Sequence, residues 1–236
     1  MISFESLVPI EVDFELRYPT GYLYWDSYGK ILNIISGKYN GMRVDAVGIS
    51  ESIVSIPEMN VTLKYSPQII AITITESKDI KSFSEFADFT VKTICNFLEI
   101  GSFSRIGNRF RFMKFVNTHD EASEILHKCN LLNIPKPLAD QHGNNIIQEI
   151  KCSLYDGNNY GYNFNFAYLI RDKNIPQADN VVPNNISSRD GVLFDIDIFT
   201  TKPVALSTLD CAELIKQKMK DYEYLIKSFY NNQVIL

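Results

Sequence analysis

The sequence is poor in cysteine, histidine and tryptophan, and it has no long apolar run. Its four cysteines are scattered without a CxxC pair, and its three histidines are well separated, so neither a zinc centre nor a redox centre is indicated. We expect the cysteines to be reduced thiols, mostly at core positions. The longest mostly apolar run, residues 69–74, is far shorter than a membrane span, and no membrane contact is predicted.

Positive charge is also scarce. The 236 residues include 23 basic and 28 acidic side chains, a net charge of −5, whereas non-specific nucleic-acid binding needs a positive field. The N-terminus has neither the basic nor the uninterrupted apolar segment of a signal peptide. We therefore expect a cytoplasmic protein. The abundance of Asn, Ile and Lys favours a bacterial or phage source.

Motifs of the familiar enzyme classes are missing too. The chain has no glycine-rich phosphate loop, no HExxH, no GxSxG and no Cys/His constellation. No histidine is singled out by its neighbours as a general base. The sequence therefore leaves any catalytic residue unidentified, and we expect no cofactor.

The sequence does contain many extended segments. Residues 8–18 alternate apolar and charged side chains, which is the period of a half-buried strand. An aromatic segment at 22–35 is compatible with a helix. The other extended runs are 42–55, 61–65, 68–75, 103–116, 146–155, 160–171 and 192–200.

Two long helices are predicted from apolar residues that recur every three or four positions, at about 79–99 and 207–230. Ser82 and Glu85 have the spacing of a capping box near the start of the first helix. A second capping box begins at Thr118 and predicts a short helix.

Because strands come in runs, they indicate an α+β fold with largely antiparallel sheets, each packed by a long helix. A polar stretch with two prolines divides the chain into a lobe of residues 1–117, a short helix and linker at 118–145, and a lobe of 146–236. A strand–strand–helix duplication would explain the similar order of the two halves, as would the general tendency of α+β proteins to place a helix over a sheet. The long connection at 172–191 is typical of a lid or binding loop.

The strand at 103–116 is the most unusual segment, because one of its faces carries Arg105, Arg109 and Arg111. Guanidiniums on one sheet face could clamp phosphate or carboxylate groups of an anionic ligand or a nucleic acid, or contact a partner protein. The alternative is cross-strand ion pairing with the acids of the first strand, if the two strands are neighbours. Those acids are Glu11, Asp13 and Glu15.

Asp195 and Asp197 lie on one face of a later strand. Paired carboxylates at this spacing can hold a divalent metal for phosphoryl transfer. However, the loop before them leads into no helix that would cradle phosphates, so a solvated strand face is the simpler interpretation.

An aromatic stripe marks one face of the strand at 160–171. Such a row can stack bases of single-stranded nucleic acid, pack beneath the C-terminal helix, or line an apolar ligand pocket between sheet and helix. The residues between the aromatics are not basic, which favours packing. The stripe consists of Tyr160, Tyr162, Phe164, Phe166 and Tyr168.

Several segments together resemble a sporadically distributed family of bacterial proteins of similar length. They are Pro9-Ile10 with Phe14-Glu-Leu-Arg-Tyr18, Arg105-Ile-Gly-Asn-Arg109-Phe110, Asp195-Ile-Asp-Ile-Phe199, and Ala212, Ile215 and Phe229 of the last helix. The chain departs from the family at Asn108, where an aliphatic residue is expected, and it has no histidine in the last helix. The family is uncharacterised, so the resemblance implies only a bacterial cytosolic protein with patchy occurrence, as expected of mobile or conflict-related genes.

These observations favour a non-enzymatic binding or interaction protein whose partner is a macromolecule, most simply another protein. One alternative is a small apolar ligand bound between the sheet and the C-terminal helix. The other is a metal-dependent enzyme on nucleotides or nucleic acid, which would use the two aspartates together with the arginine strand.

Overall fold

Strands outnumber helices in the computed structural model, which describes residues 4–129, 149–169 and 190–231. The strands are β1 (Val8–Arg17), β2 (Arg43–Val47), β3 (Ser52–Ile56), β4 (Val61–Tyr65), β5 (Ile69–Thr75), β6 (Ser102–Phe103), β7 (Arg105–Phe115), β8 (Glu149–Tyr155), β9 (Tyr160–Leu169), β10 (Gly191–Thr200) and β11 (Val204–Ala205). The helices are α1 (Tyr24–Lys38), α2 (Ile80–Leu98), α3 (His119–Lys128) and α4 (Cys211–Asn231).

Nine of the described strands form one sheet, in the order β2-β3-β4-β5-β1-β7-β10-β9-β8, and β6 pairs with β11 separately. Every neighbouring pair in the large sheet is antiparallel. The predicted α+β class with antiparallel strands is therefore confirmed. The expectation of one sheet in each lobe needs correction, because β7 of the first half pairs with β10 of the second along nine residues.

The helices cover one face of the sheet. α1 contacts α2, and α2 contacts α4, so these three lie side by side. On α4, Tyr222 stacks on Phe112 of β7 with ring centroids 5.1 Å apart, and its hydroxyl donates to the Phe194 carbonyl of β10. The buried side chains of helices and strands form one large core, and the centre of the other face of the sheet carries polar residues. Throughout, this second face is called the open face.

The helix ends follow the predicted capping signals, with one correction. In α3, Thr118 Oγ1 accepts a hydrogen bond from the Glu121 N–H at 3.2 Å, as the predicted capping box requires. In α2, the acceptor is Asp79, whose Oδ1 receives the Ser82 N–H at 3.1 Å. The helix therefore begins one turn before the predicted Ser82–Glu85 box.

A β-bulge breaks the predicted alternation at the start of β1. The pairing of β1 with β7 shifts by one residue between Pro9 and Glu11, and the extra residue is Ile10. Ile10 is fully buried in a small apolar cluster with Met113 and Leu193 at one end of the open face. The single buried face expected for residues 8–18 is therefore wrong before the bulge and holds after it.

Two predicted segments, the polar stretch with two prolines and most of the connection at 172–191, lie outside the described residues. Among the helices that the structure does describe, none is long and apolar enough to cross a membrane.

Asn108 is a polar exception in the core. It lies opposite Phe14 of β1 and Ile198 of β10 and is 2 % exposed. Its Oδ1 accepts no hydrogen bond from the described residues. A buried amide oxygen without a donor destabilises the folded state relative to an apolar group of the same shape.

We expect Asn108→Leu to raise the free energy of unfolding by about 1 kcal/mol, because leucine has the same branched shape and removes the unpaired amide oxygen. Urea denaturation measures the effect. Asn96→Leu makes the same change at an exposed position of α2 and should stay within about 0.5 kcal/mol of the parent. Equal or lower stability of the Asn108 variant would contradict this account of the core.

Candidate functional site

On the open face, β7 places its arginines between two rows of acids. In the pairing of β7 with its two neighbouring strands, Arg111 lies between Glu11 of β1 and Asp195 of β10. One pair further along, Arg109 lies between Asp13 and Asp197. The predicted neighbours of the arginines, the acids of β1, are therefore present. The two aspartates predicted as a separate metal candidate form the second row.

The guanidiniums bond to these carboxylates, mostly along diagonals of the ladder. Arg109 donates from Nε and Nη2 to both oxygens of Asp195, at 2.7 and 2.6 Å. Arg111 donates from Nη2 to Glu11 and, at 3.0 Å, to Asp13. The Asp195 and Arg111 side chains are only 6 % and 12 % exposed, so these ion pairs are partly desolvated and stronger than exposed ones.

Arg105 completes the network by folding back over Gly107. Its Nη1 donates to Glu15 at 3.0 Å and its Nη2 to Asp197 at 2.7 Å. A Cβ on Gly107 would lie 3.0 Å from that Nη1, so glycine gives the guanidinium room to lie flat against the sheet. The ring of Phe199 lies 4.7 Å from the guanidinium carbon, a cation–π distance.

The charge balance of this network argues against an anion clamp. It contains five carboxylates, and the guanidiniums that bond to them number four when Arg17 is included with the three arginines of β7. The arginines are thus matched by acids with one negative charge to spare. A phosphate or a nucleic-acid backbone would have to displace those acids.

The same contacts bear on the metal candidate. Both oxygens of Asp195 accept hydrogen bonds from Arg109, and Asp197 Oδ2 accepts from Arg105 and from Asn163. Within the described residues, no group of three or more His, Cys, Asp or Glu side chains is arranged to hold a metal ion. The structure thus brings the aspartates and arginines together as ion pairs.

Burial shifts the ionisation of two acids in the network. Burial raises the pKa of Asp13 to about 6, against hydrogen bonding from Thr73, whose hydroxyl donates to Asp13 Oδ1 at 2.7 Å. Burial also raises the pKa of Asp197, although the guanidinium of Arg105 lowers it. Burial therefore makes the charged form of both carboxylates less favourable than it is in water.

The aromatic stripe of β9 lies beneath α4. Phe164 and Phe166 are 3 % and 0 % exposed, and their ring centroids lie 5.3 and 5.5 Å from that of Phe229. At the two ends of the stripe, Tyr160 lies under the ammonium of Lys218 and Tyr168 packs edge-on against the His119 ring. The two central rings of the stripe are part of the core and offer no surface to a ligand. The fifth aromatic, Tyr162, stacks on Phe164.

The main exposed apolar surface lies elsewhere, at the β2 edge of the sheet. Eight of the eleven large apolar side chains that are exposed in the described ranges fall between residues 22 and 49. Ile49 is 81 % exposed and Tyr22 is 76 % exposed. We call this surface the edge patch and define it as Tyr22, Trp25, Tyr28, Val44, Val47 and Ile49.

Hydrogen bonds hold the edge patch in place. Trp25 Nε1 donates to the Ile49 carbonyl at 2.9 Å, and the Tyr24 hydroxyl donates to the Gly48 carbonyl at 3.1 Å. These bonds fix the start of α1 against the turn between β2 and β3. Val44 and Val47 belong to the same side, since they pair with inward-facing residues of β3.

The sequence contains a signal for the edge patch in the aromatic residues at the start of α1. Three tyrosines and the single tryptophan fall within residues 22–28, more than one helix face can bury. The exposed fraction of each ring depends on how far α1 overlaps the sheet edge, which only tertiary structure determines.

No protein-family model matches the chain, and no curated protein matches it. The resemblance to a sporadically distributed bacterial family therefore stays a prediction.

We expect Arg111→Met to lower the free energy of unfolding by about 3 kcal/mol, because it leaves Glu11 and Asp13 without their counter-charge in a partly buried site. Arg17→Met is the control, since Arg17 is 52 % exposed at the end of the network and should lose less than about 1 kcal/mol. Chemical denaturation compares the two. Similar small losses for both would contradict the internal role of Arg111.

We expect the free energy of unfolding of Asp13→Asn to rise relative to that of the parent as the pH rises. With a folded pKa of about 6, Asp13 binds its proton more tightly in the folded than in the unfolded chain, so its contribution to stability is lost between about pH 4 and pH 6. Asparagine does not titrate. The difference in unfolding free energy between variant and parent should therefore grow by about 1 kcal/mol from pH 5 to pH 8. Asp45→Asn, at an exposed position, is the control, and a constant difference for both variants would contradict the assignment.

Proposed function

We propose that this chain is a binding protein of the bacterial cytosol that holds a partner protein on the edge patch. The observation that carries the proposal is the concentration of exposed aromatic and aliphatic side chains on one surface, whose two segments are joined by hydrogen bonds. Contiguous apolar patches rimmed by polar residues are typical of protein–protein contact sites. The four cysteines are thiols, which agrees with a reducing compartment.

The composition of the edge patch suits a protein partner. Tyrosine and tryptophan are enriched at the centres of protein interfaces, where they provide large contact area with few rotatable bonds. Because Trp25 and the β2–β3 turn are already fixed by hydrogen bonds, binding would order few groups and would lose little conformational entropy. The partner should present apolar side chains of its own, since the patch is made of exposed aromatic and aliphatic side chains.

The other surfaces give less support to the alternatives. The arginine strand is matched by acids, which disfavours nucleic acid as the ligand. The centre of the aromatic stripe is packed under α4, which disfavours an apolar ligand there. The aspartate pair is occupied by guanidiniums, which disfavours a metal-dependent reaction at that place.

The test is affinity capture from lysate of the native host, followed by binding assays with each purified captured protein. Tyr22→Ser and Trp25→Ser each remove one exposed ring of the patch, and Tyr224→Ser removes a ring that is 53 % exposed on α4. A specific partner should bind the parent and the Tyr224 control equally. It should bind each patch variant about 30-fold more weakly, the effect of losing an interface hot spot of about 2 kcal/mol.

Trp25 also allows a direct readout, because it is the single tryptophan of the chain. Fluorotryptophan at this position gives one fluorine resonance, which should shift when the purified partner saturates the protein. A partner that binds both patch variants with parental affinity and leaves the Trp25 resonance in place would show that another surface is used.

A further inference from the structure

The described elements form two successive repeats of one order. The first repeat runs β1, α1, β2 to β5, α2, and the second runs β7, α3, β8 to β10, α4. These repeats differ from the two halves of the chain, because the second repeat begins with β7, which belongs to residues 1–117. In each repeat the first strand lies at the centre of the sheet and pairs with the last strand of that repeat. By this correspondence β8 takes the place of β3, and the described residues contain no strand in the place corresponding to β2.

The two edges of the sheet also differ in how they are protected. The pairing of β2 with β3 is interrupted between Val44 and Ala46, and bulges of this kind hinder pairing with another chain. β8 pairs with β9 in an unbroken register from Glu149 to Tyr155 and contains no proline. Its outer edge is therefore a regular row of backbone donors and acceptors seven residues long.

The exposed side chains of β8 leave apolar surface uncovered beside that edge. Leu154 is 52 % exposed and Tyr155 is 69 % exposed. Regular edge strands with apolar side chains pair readily with a further strand.

The sequence of β8 is complementary to itself. When two copies run antiparallel with Cys152 facing its equivalent, Ile150 faces Leu154 of the second copy and Lys151 faces Ser153. Directly opposite residues share a face of the sheet, so the apolar pair lies on the helix side and the polar pair on the open side. All seven residues of each strand find a partner, and each Leu154 gains an apolar neighbour.

We propose that the protein forms a symmetric dimer in which β8 pairs with β8 of a second copy in this register, joining the two sheets into one. The same strand serves on both sides, as a closed twofold contact requires. The proposal is independent of the edge patch, which lies at the opposite edge of the sheet.

Sedimentation analysis of the full chain over a range of concentrations tests the assembly. The parent should be a dimer, and Leu154→Lys should shift it to monomer by placing a charge against Ile150. Val44→Lys is the matched control, because Val44 is 54 % exposed on the other edge strand and should leave the dimer intact. A parent protein that stays monomeric, or a dimer lost only in the Val44 variant, would overturn the proposal.

Disulfide trapping tests the register and does not depend on the stability of one variant. Cys152 is the one cysteine of the four that is not buried, and directly opposite residues of antiparallel strands have Cα atoms at disulfide distance. The mild oxidant diamide, which takes up two electrons and two protons, should give a covalent dimer of the parent and none of Cys152→Ser.

A second pair of cysteines fixes the register. In the Cys152→Ser background, a mixture of Lys151→Cys and Ser153→Cys chains should crosslink with each other, whereas each variant alone should not, because its cysteines are offset along the strands. Crosslinking of Lys151→Cys chains alone, or no covalent dimer of the parent, would contradict the proposed pairing.

Discussion

The layer of ion pairs on the open face is the interaction on which the architecture depends. β7 is the strand where the two halves meet, and its arginines bond to acids of β1 on one side and of β10 on the other. Three guanidiniums in a row on one strand would repel each other without those acids. Because the carboxylates come from both halves, the ion pairs that neutralise the arginines also link the two halves of the sheet.

The periodicities of the sequence predict the elements well and their assembly less well. The alternation at residues 10–17 and the apolar stripes of α2 and α4 report local geometry, and the structure has those elements. Which strands pair is a non-local property. Ion pairing of the arginines with the acids of β1 is one of the arrangements that the sequence predicts, because the charges complement each other. Asp195 and Asp197 carry the same signal, but an isolated pair of carboxylates also resembles a metal site, and only the sheet order decides between the two. The bulge at Ile10 leaves no signal in the alternation itself.

The surfaces proposed for binding lie at the two ends of the sheet, away from its charged centre. At one end, a bulged strand and the aromatic start of α1 offer side chains. At the other, β8 offers its backbone. This division follows from the physical differences between the edges: a bulge discourages strand addition but does not prevent side-chain contact, whereas an unbroken register favours a further strand. The charged side chains at the centre of the sheet are already paired with each other. The two edges of the sheet are therefore the surfaces that we propose for binding other proteins.

A double-mutant cycle between Arg109 and Asp195 tests the central claim most directly, since this two-bond contact links β7 of the first half to β10 of the second. The free energies of unfolding of the parent, Arg109→Met, Asp195→Asn and the double variant give the coupling between the two side chains. The account predicts a favourable coupling of about 2 kcal/mol. A coupling near zero, together with stabilisation of the parent by added phosphate that Arg109→Met abolishes, would show instead that the arginine faces a ligand.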